Sequence, residues 1–146
     1  MTERALIRPL RDGEIPALVA LAGEIWRAHY PGIISIAQIE YMLAQRYNEG
    51  LIRDELARTD LWWDVLMVDD AMTGYASYFL TDVPHEMKLD KIYLHPRAHR
   101  RGYGAMLLEH VMKFMAGAGC TRLTLAVNRH NSTAIAAYRK YGFHIA

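Results

Sequence analysis

The stretch Leu89-Asp90-Lys91-Ile92-Tyr93-Leu94-His95-Pro96-Arg97-Ala98-His99-Arg100-Arg101-Gly102-Tyr103-Gly104 decides how the rest of the chain is read. Residues 87–94 are mostly apolar or aromatic and stop at His95-Pro96, which reads as a strand and its end. The second half brings Gly102 and Gly104 to the entry of a helix, where the backbone can approach a ligand closely. The first N–H groups of a helix lack internal partners, and the helix dipole favours negative charge there. A pyrophosphate therefore fits on the amides of residues 100–104, with Arg100 or Arg101 adding charge. The same glycines also suit a plain strand-to-helix turn. The third glycine of a dinucleotide loop and the Gly-Lys-Ser/Thr of a P-loop are both absent.

Downstream of this loop, residues 102–116 read as a helix with Met106, Leu107, His110, Val111 and Phe114 on one side. Gly117 and Gly119 end it. A strand over 122–127, a helix over 132–141 and a further strand opening at Phe143 follow. Upstream, residues 5–9 alternate like a short strand, and Asp12 is placed to cap a helix over 14–28. Helices over 36–47 and 51–58 precede strands over 63–68 and 74–80, joined by a tight turn at Asp69-Asp70. Strands followed by helices, with a hairpin in the middle, make a mixed α/β sheet.

A second constellation is Asn131-Ser132-Thr133-Ala134-Ile135-Ala136-Ala137-Tyr138-Arg139-Lys140-Tyr141-Gly142-Phe143. Asn131 or Ser132 caps its helix and Gly142 stops it. Asn131, Ala134, Tyr138 and Tyr141 fall on or near one face, and the small Ala134 leaves room beside the tyrosine for a narrow ligand. An amphipathic helix with half-buried tyrosine anchors fits the same pattern.

Together the two segments resemble motifs A and B of the GNAT superfamily of N-acetyltransferases. Ile92-Tyr93-Leu94-His95-Pro96 and Arg100-Arg101-Gly102-Tyr103-Gly104 stand at the places of motif A, with His99 where the family has glutamine or arginine. Asn131, Ala134, Tyr138, Lys140, Gly142 and Phe143 fill motif B. Ile7-Arg8-Pro9 with Asp12 is similar to the family's opening strand and helix. Trp26, Tyr30, Gln38, Tyr41-Met42-Leu43 and Tyr47 look like the first helices of bacterial members related to polyamine acetyltransferases.

The resemblance implies a GNAT-like, mostly antiparallel central sheet flanked by helices, in one N-acetyltransferase domain over residues 1–146. It implies acetyl-CoA as cosubstrate, with the pantetheine arm laid along the strand like an added strand. The implied cofactor-binding residues are Ile92, Tyr93, Leu94, His99, Arg100, Arg101, Gly102, Tyr103, Gly104, Ala105, Asn131 and Tyr138. A protonated His99 would add a donor to phosphate, and an amide near Leu94 would polarise the thioester carbonyl. Tyr138 is the expected general acid, a phenol with pKa about 10 facing a thiol of roughly 8.5. Some family members use a glutamate near the start of this strand as base. Lys91 stands near that place here, so Glu86 is the expected base, with Asp90 and His85 as neighbours. The family runs on through a hairpin to a last strand, whereas this sequence stops at Phe143-His144-Ile145-Ala146. That strand is expected to be missing or cut short, either because the chain is truncated or because a neighbouring subunit, as in a homodimer, supplies the pairing.

Composition bounds the partners. A hydrophobic share of 52% and a charged share of 23% are those of a globular protein. Seventeen Lys and Arg against sixteen Asp and Glu argue against a partner bound through phosphate neutralisation, so no nucleic acid is expected. Neither a membrane span nor a signal-peptide pattern is evident, and the single Cys120 excludes an intramolecular disulfide. A cytoplasmic location follows as an expectation. The seven histidines are scattered, so no metal site is expected. Leu89 stands where a zinc-protease motif starting at His85-Glu86 needs its second histidine.

The expected reaction is acetylation of a primary amine on a small molecule, polyamines first, with peptide termini and protein lysines as alternatives. Glu24, Glu40, Asp82, Glu86 and Asp90 are acidic candidates to meet a cationic acceptor, and Trp26 is a candidate pocket wall. The main alternative is a non-catalytic acyl-CoA sensor. A nucleotide-binding domain and a pure interaction protein stand further off.

Overall fold

Asp69 and Asp70 reverse the chain within two residues, with φ of 49° and 67°, in the computed structural model, which describes residues 4–127 and 131–144. Left-handed conformation at both central positions matches the right-handed twist of a hairpin, and aspartate tolerates it better than most residues. The turn joins β2 (Leu61–Val68) to β3 (Ala71–Leu80). With β1 (Ala5–Pro9), β4 (Glu86–Leu94) and β5 (Arg122–Leu125) they form one sheet in the order β1-β2-β3-β4-β5. Pairing is antiparallel from β1 to β4, and β5 joins β4 in parallel. The expected mixed, mostly antiparallel sheet is therefore present.

Helices cover both faces. On one side α1 (Ile15–His29), α2 (Ile36–Arg46) and α3 (Glu49–Leu56) bury Leu18, Ile25, Ile39 and Ile52 against Trp63, Val65 and Tyr75 of the sheet. On the other, α4 (Tyr103–Gly117) seats Leu107, Leu108 and Val111 on Leu66, Ala76, Met87 and Leu89. Each such side chain contributes about 1.5–3 kcal/mol by leaving water. The shorter α5 (Ser132–Lys140) buries none of its residues fully, and its Tyr138 stands edge-to-face on Phe143. Ser35, Asn48 and Asn131 cap α2, α3 and α5 by accepting from the amides of Gln38, Leu51 and Ala134. No helix among the described residues is long and apolar enough to cross a membrane.

Some local expectations change. Asp12 does not cap α1; it lies in a short 3-10 turn, Asp12–Glu14, and pairs with Arg53 at 3.2 Å. Glu14 takes the capping part, accepting from the Arg11 amide while its carboxylate holds Arg8 in two hydrogen bonds of 2.8 and 2.6 Å. The strand expected over 122–127 stops at Leu125, and Phe143 and His144 are not in a strand. Ile145 and Ala146 lie outside the described residues.

One irregularity positions the site. Ser77 pairs with Lys91 but Tyr78 pairs with Leu89, so Asp90 is an extra residue, a β-bulge. A bulge reverses which face successive side chains take. Met87 and Leu89 point at α4, and after the bulge so do Ile92 and Leu94, while Lys91 and Tyr93 point at α1 and α2. Unbroken alternation would have driven Lys91 into the core beneath α4.

Candidate active site

Pairing between β4 and β5 ends at Leu89–Leu125. Beyond it β4 continues to Leu94 while β5 stops, so the two strands part and a cleft of about 1170 Å3 opens between them. The amide of His95 donates to Thr73 on β3. In an antiparallel ladder successive residues turn their polar groups to opposite sides. Tyr93 and Lys91 therefore face β3, and Ile92 and Leu94 present their main chain to the cleft. The carbonyl of Leu94 lies 3.3 Å from Nε2 of His99. Gly74 permits this strand to lie so close: a Cβ there would come within 2.7 Å of the Leu94 side chain and 2.8 Å of the Tyr93 carbonyl.

At the C-terminal end of β4 the chain enters α4 through a loop in which Arg100 (φ 65°) and Gly102 (φ 80°) are both left-handed. No side chain caps the helix. Alternation of left- and right-handed residues turns consecutive N–H groups toward one point and makes an anion cradle, here set against the helix dipole. Arg100, Gly104 and Ala105 line the cleft. Arg101 and Gly102 are exposed beside it, and the Tyr103 side chain packs into the core. The cleft thus offers main-chain N–H groups, with Arg100 from the loop and Lys140 at the end of α5 among its cations. These features fit a pyrophosphate. His99, one step earlier, faces the Leu94 carbonyl and ties the loop to the strand.

α5 forms the opposite wall through Asn131, Ala134, Ala137 and Tyr138. Asn131 Oδ1 is occupied by the Ala134 amide, so its Nδ2 faces His29 at the end of α1 and donates to Nε2 at 3.2 Å. This bond fixes the proton of a neutral His29 on Nδ1. Burial, and then the nearby His99, lowers the His29 pKa, in keeping with that neutral form. Burial, and then Tyr30, pushes Tyr138 up to about 12, so its phenol keeps its proton.

The far half of the cleft is built from side chains. Trp26, Tyr30 and Tyr93 form an aromatic wall, with ring centroids of Trp26 4.4 Å from Tyr30 and 5.8 Å from Tyr93. The hydroxyls of Tyr30 and Tyr93 lie 2.9 Å apart. Lys91, 4% exposed, lays its ammonium over Trp63 and against Asp90. Asp90 also accepts from Arg46 of α2 at 3.0 Å. Burial opposes ionisation of Asp90, but Lys91 and Arg46 outweigh it and hold the carboxyl below its usual range.

The structure thus brings together Ile92, Tyr93, Leu94, His99, Arg100, Gly104, Ala105, Asn131 and Tyr138. Glu86 does not join them. It sits at the start of β4, where β5 still pairs, accepting from Thr81 at 2.8 Å and facing Arg122 at 3.5 Å. A carboxylate so engaged, and not lining the cleft, is no base for an amine held there. Arg46 and His29 belong to the site without any sequence signal; each ends an ordinary amphipathic helix.

The comparisons agree with this geometry. The chain is 28% identical over 143 residues to a spermidine N(1)-acetyltransferase of Thermoplasma acidophilum, covering 95% of this chain and 88% of that one. It is 29% identical over 142 residues to the peptidyl-lysine N-acetyltransferase YjaB of Salmonella typhimurium, covering 95% and 83%. A crystal structure of PaiA N-acetyltransferase from Thermoplasma acidophilum in complex with coenzyme A superposes with a TM-score of 0.91 at 26% identity, covering 98% of this chain and 91% of that one. The family model for "Acetyltransferase (GNAT) family" matches residues 21–143. With a cleft that fits the cosubstrate and a match over most of its length, the chain belongs to the GNAT acetyltransferase family and is an acetyl-CoA-dependent N-acetyltransferase.

Proposed function

We propose that the protein acetylates a primary amine of a small molecule, and that Tyr138 serves the departing sulfur. The observation that carries this reading is the parting of β5 from β4 at Leu89–Leu125. It leaves the main chain of Ile92 and Leu94 without a β5 partner, between the amide cradle of α4 and the phenol of Tyr138. Spermidine and peptidyl-lysine, the acceptors in the relatives' names, both offer primary alkylamines, which supports that class of nucleophile.

Acetyl-CoA supplies an activated thioester. The loop amides, Arg100 and Lys140 hold its phosphates, and Asn131 helps to shape the wall beside its arm. The amine nitrogen bonds to the carbonyl carbon as the carbon–sulfur bond breaks, and the electron pair leaves with sulfur. The proton lost from nitrogen ends on sulfur, so the products are an N-acetyl amine and free thiol. An amide of Ile92 or Leu94 directed at the carbonyl oxygen stabilises the charge that develops there.

With its pKa about 12, Tyr138 is protonated throughout the working range. Full transfer to a thiolate of ordinary pKa, roughly 8.5, is uphill by about 5 kcal/mol. A hydrogen bond from the phenol to the developing thiolate therefore carries more of the effect than complete transfer. Cys120, buried and unpaired with any other thiol, suits the reducing cytoplasm, where we place the protein.

The test is acetyl-CoA consumption and thiol release against a panel of amines, with Tyr138→Phe beside the wild type. Tyr138→Phe is expected to lower kcat by roughly 10- to 100-fold with CoA affinity unchanged. An unchanged kcat removes Tyr138 from the mechanism. CoA binding without turnover on any amine replaces the enzyme by a sensor.

A further inference from the structure

The far half of the cleft has the wrong charge for a cationic acceptor. Among the described residues lining it, Asp90 is the one carboxylate, and it is already held by Arg46 and Lys91. Other acidic residues that offered themselves in the sequence are engaged elsewhere. Glu24 faces His95 at 3.2 Å, Glu40 pairs with Arg27 at 3.0 Å, and Glu86 is held by Thr81 and Arg122. Asp82 is exposed and does not line the cleft.

Lys88 adds a further cation on the same side. It precedes the bulge, and its ammonium stands over the Phe79 ring at 6.0 Å, with no ion pair to a described residue. Arg46 directs one terminal nitrogen at Asp90. The rest of its fork makes no hydrogen bond to a described residue, and a guanidinium fork matches a carboxylate or a phosphate in shape. One carboxylate thus stands against Arg46, Lys88 and Lys91, which leaves this end net positive.

We infer that the acceptor is an amine that also carries an acid group, a carboxylate or a phosphate, received by Arg46 and Lys88. The inference rests on the acetyl-transfer reading above. Trp26, Tyr30 and Tyr93 then flank the apolar chain between acid group and amine. The same cations favour the neutral form of the reacting nitrogen, because nearby positive charge lowers the pKa of an ammonium. Attack then needs no dedicated carboxylate base, consistent with the position of Glu86 outside the cleft.

The experiment compares kcat/KM on the full chain for amines that differ only by the acid group. Lysine is set against cadaverine, ornithine against putrescine, and phosphoethanolamine against ethanolamine, each in wild type and in Lys88→Glu. The acid-bearing member of at least one pair is expected to win by tenfold or more. Lys88→Glu is expected to erase most of that advantage through KM rather than kcat. The first two pairs report on a carboxylate and the third on a phosphate. Diamines that equal or exceed their acid-bearing partners overturn the inference and leave acetyl transfer standing. A preference indifferent to Lys88→Glu also overturns it. Absence of turnover on every amine, with CoA still bound, defeats the acetyl-transfer reading itself and the inference with it.

Discussion

The two ends of β4 are built by opposite means. Toward Leu94 the site is mostly main chain: an unpaired strand edge, two left-handed residues and the start of α4. Toward Lys88 it is mostly side chain: Asp90 and Lys91 of β4, Arg46 of α2, and the rings of Trp63 and Tyr47 beneath them. A main-chain site needs only a local conformation, which a few neighbouring residues secure. A side-chain site needs distant elements packed in one arrangement, and each of its charges depends on the others.

The sharpest way to break this contrast is at the side-chain end. Asp90→Asn leaves the buried Lys91 ammonium without its carboxylate. The loss should be about 3 kcal/mol of folding stability, because an uncompensated buried charge costs more than the pair was worth. Chemical denaturation measures it, and CoA affinity should stay within about threefold. A large loss of CoA affinity would show that the two ends are not separate.

The next effect belongs to the main-chain end. Gly102→Val forces a β-branched residue to a φ of 80°, a strain of about 2 kcal/mol. Isothermal titration should find CoA bound roughly 30-fold more weakly, without a change in amine preference. Unaltered binding would mean that the cradle at α4 does not hold the phosphates.

The smallest effect lies where the halves are stitched together. His29 on α1 accepts from Asn131 on α5 only while its ring is neutral. Its folded pKa is lowered, so the unfolded chain binds more protons in the window just below the ordinary histidine value of about 6.5. Stability from this group is complete above that value and is lost as pH falls from there toward the folded pKa. Denaturant midpoints measured between pH 7.5 and 5.5 should slope downward with acid, by less than the Gly102→Val effect. In His29→Gln the slope from this group should vanish.

Legibility follows the same division. Gly102, Gly104, Asn131, Ala134 and Tyr138 stand in contiguous motifs, and the structure sets Gly104, Asn131, Ala134 and Tyr138 along one cleft, with Gly102 at its rim. The hairpin at Asp69-Asp70 and the strand from residue 87 to Leu94 were legible because turn chemistry and apolar runs are local signals. The choice of Glu86 failed for a local reason of its own. Pairing with β5 covers the first residues of β4, and nothing near residue 86 records where that pairing ends. The bulge at Asp90 was equally silent, although it decides that Lys91 faces Trp63 and not α4.

By itself the sequence determined the mixed sheet, most of its helices, the entry to α4 and the tyrosine helix. In each, residues close in the chain set their own backbone through alternation, helical spacing, caps and glycines. Only the tertiary structure decided where β5 parts from β4, that Arg46 reaches Asp90 across 44 positions, and that Asn131 meets His29 across 102. Those contacts depend on the packing of whole elements, in which a one-residue shift of register changes which side chains face the cleft.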